Sequence, residues 1–200
     1  MKDKIKEALE TYNKFAKLYA DYTEPKLLQF QLNKFISLLN GKKVLDVGCG
    51  AGRDIAYFKD EGLDVMGIDI SDGLLEEAKK RVKANVKKMD LLNLKFKESE
   101  FDGVWCMATL ADIPKKEVIK ALQGINKILK KDGVFYVAVK EGKGEEFVKK
   151  PKYQDSIRFY SYYEQVELEN LLKENGFSIV NSVTSDDQGT EWVEIFAKKI

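Results

Sequence analysis

The sequence predicts an α/β fold: a seven-stranded, mostly parallel sheet with helices on both faces, a C-terminal antiparallel hairpin and an N-terminal helical cap. Three observations predict it. Short apolar runs alternate with amphipathic stretches of helix length between residues 44 and 139. The first run ends in a glycine cluster, Gly48-Cys49-Gly50-Ala51-Gly52. The last two runs are joined by a stretch rich in Ser, Asp and Gly, with no helix between them.

The elements follow in order. Residues 2–20 put Ile5, Leu9, Tyr12, Phe15, Ala16 and Tyr19 on one helical stripe. A second helix follows Pro25, with Leu28, Leu32, Phe35, Ile36 and Leu39 inward, and Asn40-Gly41 closes it. Residues 44–47 are the first strand, and a helix starts near Asp54. Residues 64–68 are the second strand, after which Ser71 reads as the N-cap of a helix holding Leu74, Leu75, Ala78 and Val82. Residues 86–89 and 101–107 are the third and fourth strands. A helix over 115–130 leads through Asp132-Gly133 into a fifth strand at 134–139. A helix over 164–174 ends at Asn175-Gly176, and strands at 177–183 and 192–197 close the chain around the loop 184–191. One domain over 1–200 is expected: a cap over 1–40, a cofactor-binding core over 41–140, and a substrate-side loop with closing strands over 141–200.

Composition removes several functions. Apolar residues make up 44% of the 200, enough for one core. The 34 basic and 33 acidic residues nearly cancel, which disfavours a nucleic-acid partner. No apolar run approaches the ~20 residues of a membrane span, and residues 1–7 do not read as a signal peptide. Cys49 and Cys106 form no CxxC pair. A cytoplasmic protein without a membrane partner is expected. There is no histidine. That excludes a Ser-His-Asp triad, a Cys-His pair and a His-ligated zinc, and no metal is expected. Acid or base work falls to Asp, Glu, Lys, Tyr or Cys.

The chemistry gathers at strand ends. Leu45-Asp46-Val47-Gly48-Cys49-Gly50-Ala51-Gly52 sits at a strand-to-helix junction, where a doubly wound sheet binds its ligand. A dinucleotide loop reads GxGxxG and offers its helix N-terminus to a pyrophosphate. Here Arg53 stands where the last glycine would be, and Asp46 adds a carboxylate that repels an anion and welcomes a cation. Asp69 ends the second strand, where a carboxylate accepts ribose hydroxyls. Asp90 follows the third and can reach an adenine amino group, with Leu91 and Leu92 beside the ring. The fourth strand, Phe101-Asp102-Gly103-Val104-Trp105-Cys106-Met107, points its end at the reacting part of the ligand.

These motifs, in this order, resemble the class I S-adenosylmethionine-dependent methyltransferases, a Rossmann-like family, over nearly the whole chain. The likeness is greatest to small methyltransferase-domain proteins, through Tyr12 to Tyr19, Gly52-Arg53-Asp54, Val139 to Glu145, Arg158-Phe159-Tyr160 and Trp192. The resemblance implies S-adenosylmethionine as cofactor. Gly48, Cys49, Gly50, Gly52 and Arg53 would lie at its methionine part, with Asp46 at its ammonium. Asp69 and Ile70 would hold the ribose, Asp90 and Leu91 the adenine, and Met107 would face the reacting end. Tyr12 and Tyr19 would close a lid. Relatives often carry a histidine after the fourth strand, where this chain has Asp112. Candidate catalytic residues are therefore Asp112, Lys140, Glu141 and Arg158, with no role assigned among them.

Blander readings stand beside these. Asp54 reads as a first-turn residue facing the helix dipole. Trp105 and both cysteines read as core. Lys149-Lys150-Pro151-Lys152 reads as a solvated loop, and the aromatic run at 159–163 as a pocket wall or as packing. The expected function is methyl transfer to a small-molecule acceptor of unknown identity. An NAD-binding oxidoreductase and a cofactor-binding protein without turnover are the alternatives.

Overall fold

In a computed structural model, residues 2–187 and 189–200 are described, with the side chains of residues 2–5 and 7 left aside. The expected stripe position Ile5 therefore lies outside the described side chains.

Five strands run parallel: β1 (Lys43–Val47), β2 (Asp64–Asp69), β3 (Val86–Lys88), β4 (Phe101–Met107) and β5 (Leu129–Lys140). A hairpin of β8 (Phe177–Asp187) and β9 (Thr190–Lys199) joins the sheet edge at β5. The seven-stranded order is β3-β2-β1-β4-β5-β9-β8, with β9 antiparallel to both of its neighbours. The chain order reverses between β1 and β4, and ligands bind at such a point, beyond the carboxyl ends of the strands.

Alternation along the strands makes two apolar layers. Leu45, Val47, Val104, Phe135, Val137 and Ile195 face one side and pack on α6 (Val118–Ile128) and α7 (Gln165–Glu174). Val44, Val65, Trp105, Tyr136 and Phe196 face the other, under α3 (Gln29–Leu38), α4 (Arg53–Asp60) and α5 (Asp72–Val82). Leu32 and Phe35 of α3 are fully buried there, so α3 covers the sheet and only α1 (Lys2–Lys14) and α2 (Ala16–Thr23) remain as the cap. Ser71 caps α5 as expected, its side chain accepting from the Leu74 N–H at 3.2 Å.

The structure departs from the sequence reading in four places. The single N-terminal helix breaks at Phe15, two residues after Asn13, whose side chain is pinned to the start of α5. Its Oδ1 accepts from Ser71 Oγ at 2.7 Å and the Gly73 N–H at 3.1 Å. Asp132-Gly133 does not separate a helix from a strand; it is an irregularity inside β5, with Asp132 at φ 60°. The loop expected over 184–191 is mostly strand, since β8 and β9 pair out to Asp187 and Thr190. Residues 145–161, expected as loop, form a two-stranded antiparallel sheet of β6 (Glu145–Lys150) and β7 (Ser156–Ser161).

Candidate active site

The site forms at the carboxyl ends of β1, β2 and β4. The chain turns sharply after Val47, and Gly48 adopts φ 71°. A side chain there would strike Thr109, whose hydroxyl donates to the Val47 carbonyl at 2.8 Å. Asp69 ties this loop to β2. Its Oδ2 accepts from the Gly50 N–H at 3.0 Å and its Oδ1 from the Ser71 N–H at 2.8 Å. A carboxylate has about four lone-pair sites, so each oxygen keeps capacity for a hydroxyl. Burial raises the Asp69 pKa, against those backbone N–H groups. Asp90 Oδ1 accepts from the Leu92 N–H at 2.8 Å, which fixes the turn carrying Leu91.

Two chambers meet over the glycine loop. A narrow cleft of about 90 Å³ is lined by Asp69, Ile70, Asp90, Leu91 and Asp112. A wide chamber of about 560 Å³ is lined by Asp46, Cys49, Arg53, Lys140 and Arg158. Tyr12, Tyr19, Gly48, Gly50, Met107 and Ala108 line both, so the chambers adjoin. Gly52 and Glu141 line neither. Gly52, at φ 84°, lets α4 approach α5, and a Cβ there would lie 2.7 Å from Val82. Glu141 pairs as an isolated bridge with Tyr163.

Asp46 is 3% exposed. No hydrogen bond reaches its carboxylate among the described residues. Burial, with Asp54 and Asp69 nearby, pushes its pKa well up, against the pull of Arg53. Arg53 is committed to Asp54, bidentate at 2.6 and 3.0 Å. Asp54 is more than the first-turn residue expected: it is buried, and Trp105 Nε1 also donates to it at 2.9 Å. Trp105 is fully buried and stacks on Tyr136 at 3.9 Å, so it is core.

Beside the chambers three elements are held by a clasp. Asp112 Oδ2 accepts from the Tyr12 hydroxyl at 3.0 Å, and Oδ1 from Arg158 Nη2 at 2.8 Å. Arg158 Nη2 also donates to the Tyr12 oxygen. Helix α1, the turn after β4 and strand β7 are thereby joined. Burial raises the Tyr12 pKa well above its ordinary value and that of Tyr19 to about 12, so both phenols hold their protons near neutrality. Burial likewise raises the Cys49 thiol and lifts Cys106 to about 12, which leaves neither nucleophilic.

The family comparison falls on this geometry. Residues 44–133 match the methyltransferase-domain family. Over that span, just under half of its length, the chain is similar to the class I methyltransferases. The matched span holds the glycine loop, Asp69, Asp90 and Asp112; Tyr12, Tyr19, Lys140 and Arg158 come from outside it. A demethylmenaquinone methyltransferase of Symbiobacterium thermophilum is 37% identical over 110 residues, covering 48% of this chain and 41% of the relative. An uncharacterized methyltransferase of Synechocystis is 32% identical over 101 residues, covering 50% of this chain and 48% of that one. The chain spans under half the length of each. An S-adenosylmethionine-dependent methyltransferase from Methanosarcina mazei superposes with a TM-score of 0.75 at 20% identity, over 82% of this chain and 95% of that one, and shares the fold of the methyltransferase domain.

Sequence reasoning missed several residues on the chamber walls. Lys150 and Lys152 line the wide chamber, against the expectation of a solvated loop, and so do Tyr22 and Lys26. No local signal marked Lys150 and Lys152, because β6 has no clean apolar face and pairs with β7 across the turn at Pro151.

Proposed function

We propose that this chain transfers a methyl group from S-adenosylmethionine to a small-molecule acceptor, as one domain working in the cytoplasm without nucleic acid. The observation that carries the reading is Asp46, a buried carboxylate with no hydrogen-bond donor among the described residues, at the lip of the glycine loop. A buried charge without a partner is costly, and a cationic ligand relieves it. An ammonium does so; a pyrophosphate would make it worse. No helix among the described residues is long and apolar enough to cross a membrane.

In this reading Asp46 holds the donor's ammonium, Asp69 the ribose hydroxyls, and Asp90 with Ile70 and Leu91 the adenine. When bound, S-adenosylmethionine supplies an electrophilic methyl group: the acceptor's lone pair takes it, and the S–C bonding pair stays on sulfur. The residues position the reactants and exclude water. Asp112 has both oxygens engaged by Tyr12 and Arg158. Glu141 lies outside both chambers. Arg158 is a donor without a lone pair. Lys140, brought down to about 8 by burial, and the spare lone pairs of Asp112 are what the site offers as proton acceptors, and an acceptor that is already nucleophilic needs neither. The relative named for demethylmenaquinone supports a small acceptor.

Titration calorimetry tests the donor. S-adenosylhomocysteine is expected to bind one to one, and Asp69→Ala to lose that binding. Binding of NADH in its place overturns the reading.

A further inference from the structure

We propose that the wide chamber is built for an anionic acceptor, a ring-bearing small molecule whose carboxylate or phosphate seats against Lys140, Lys150 and Arg158. The proposal deepens the methyltransferase reading and rests on it for the word acceptor.

Three cations crowd one ring. Lys140 Nζ lies 4.2 Å from the centroid of Tyr160, Lys150 Nζ 4.9 Å and Arg158 Cζ 4.9 Å. They arrive from three strands: the end of β5, the end of β6, and β7. Only Arg158 has an acidic partner among the described residues, Asp112. Neither lysine makes an ion pair there. Burial first, then the charges of Lys150 and Arg158, brings Lys140 down to about 8. Lys150 is lowered by burial and by Arg158. Asp112 and Glu146 offset part of this repulsion, but three cations stand against two acids, and strongly perturbed groups in a cleft mark functional sites.

A second observation points to a ligand. Arg158 is 7% exposed, and its Nε is buried with no hydrogen-bond partner. An orphaned buried donor of this kind is rare in a folded protein. Arginine presents a fork suited to a planar oxyanion, and Asp112 occupies only the Nη2 edge of it.

The acids of the chamber sit elsewhere. Asp46 and Asp54 belong to the glycine loop, Asp186 and Asp187 to the β8–β9 hairpin, and Glu194 accepts from Tyr136 and Ser185. The basic wall is therefore built from β5, β6 and β7, apart from the carboxylates of the glycine loop. Tyr153, Tyr160 and Trp192 give the same wall flat apolar faces for a ring.

The test uses four probes on the full chain, with and without S-adenosylhomocysteine: benzoate, phenyl phosphate, benzamide and benzylamine, by calorimetry at low salt. Benzoate or phenyl phosphate is expected to bind at least tenfold more tightly than benzamide, and the better of the two names the oxyanion. Lys140→Met with Lys150→Met is expected to abolish that preference while S-adenosylhomocysteine affinity stays within twofold. Lys150→Met alone, with circular dichroism as the folding check, serves if the double variant misfolds. Equal or absent anion binding, tighter binding of benzylamine, or a preference that survives in the folded variants overturns the proposal. Asp69→Ala separates the two claims: it removes the donor and is expected to leave anion binding intact. Failure of S-adenosylhomocysteine to bind the native chain would sink the donor reading and leave the anion result standing on its own.

Discussion

Asp46 sets stability against function within one side chain. Its pKa is raised in the fold, so ionisation costs the free protein stability above the folded pKa, and that cost shrinks as pH falls from there and is gone below the ordinary 3.8. Asp46→Asn is expected to stabilise the free protein at neutral pH by about 1–3 kcal/mol, the scale of an unsatisfied buried polar group. The same change should weaken S-adenosylhomocysteine about 100-fold, close to 3 kcal/mol. Urea melts and calorimetry read the two effects separately; a variant that loses both stability and binding would contradict the assignment. Lys140 has the opposite charge and a lowered pKa. It faces Lys150 and Glu146 of β6, Arg158 and Tyr160 of β7, and Asp112 of the turn after β4. Its charged form costs stability below about pH 8, and that cost is relieved between there and the ordinary 10.5. A bound anion restores the charge. Benzoate affinity should therefore be full below pH 8 and fall as pH rises through it, with proton uptake on binding. Lys140→Met should flatten that profile.

At the scale of elements, Gly52 decides how closely α4 meets α5. Gly52→Ala places a Cβ 2.7 Å from Val82 at a left-handed φ of 84°. The expected loss is about 1–3 kcal/mol, from overpacking and backbone strain together. Gly52→Ala with Val82→Ala should recover the packing part and leave the strain, which a denaturant series on the two variants would resolve. This glycine also marks a limit of sequence reading. The family resemblance placed it among ligand contacts; in the structure it lines neither chamber and packs α4 on α5, the task a dinucleotide loop gives its last glycine. The ends of β1, β2 and β4, with Asp69 and Asp90, were legible because buried parallel strands are continuous apolar runs bounded by turn residues. The β6–β7 pair was not. Glu145 to Phe147 and Lys149 are exposed, so the hairpin has no clean apolar face along β6 to announce it. Its one buried edge, Arg158 to Ser161, begins with a charged residue whose partners come from residues 12 and 112. Such long-range pairing leaves no local pattern.

At the scale of the molecule, the C-terminal hairpin is part of the core. Val193, Ile195, Phe196 and Ala197 of β9 are buried, and they complete both apolar layers against β5. Removing residues 142–200 would bare the edge of β5 and strip both faces beside it. A chain ending at Glu141 is expected to show no cooperative thermal transition, whereas the intact chain should melt in one step, calorimetric and van't Hoff enthalpies agreeing. Two separate transitions in the intact chain would contradict the single-domain reading.

The two tryptophans occupy very different surroundings. Trp105 is sealed in the core, stacked on Tyr136 and bonded to Asp54, while Trp192 stands on the wall of the wide chamber. The protein thus carries its own optical gauge. Trp105 emission should stay constant as a fixed reference, and Trp192 emission should shift or quench when a ring enters beside it. Trp192→Phe would remove the response and keep the reference, so occupancy of the chamber can be followed in the native chain without a label.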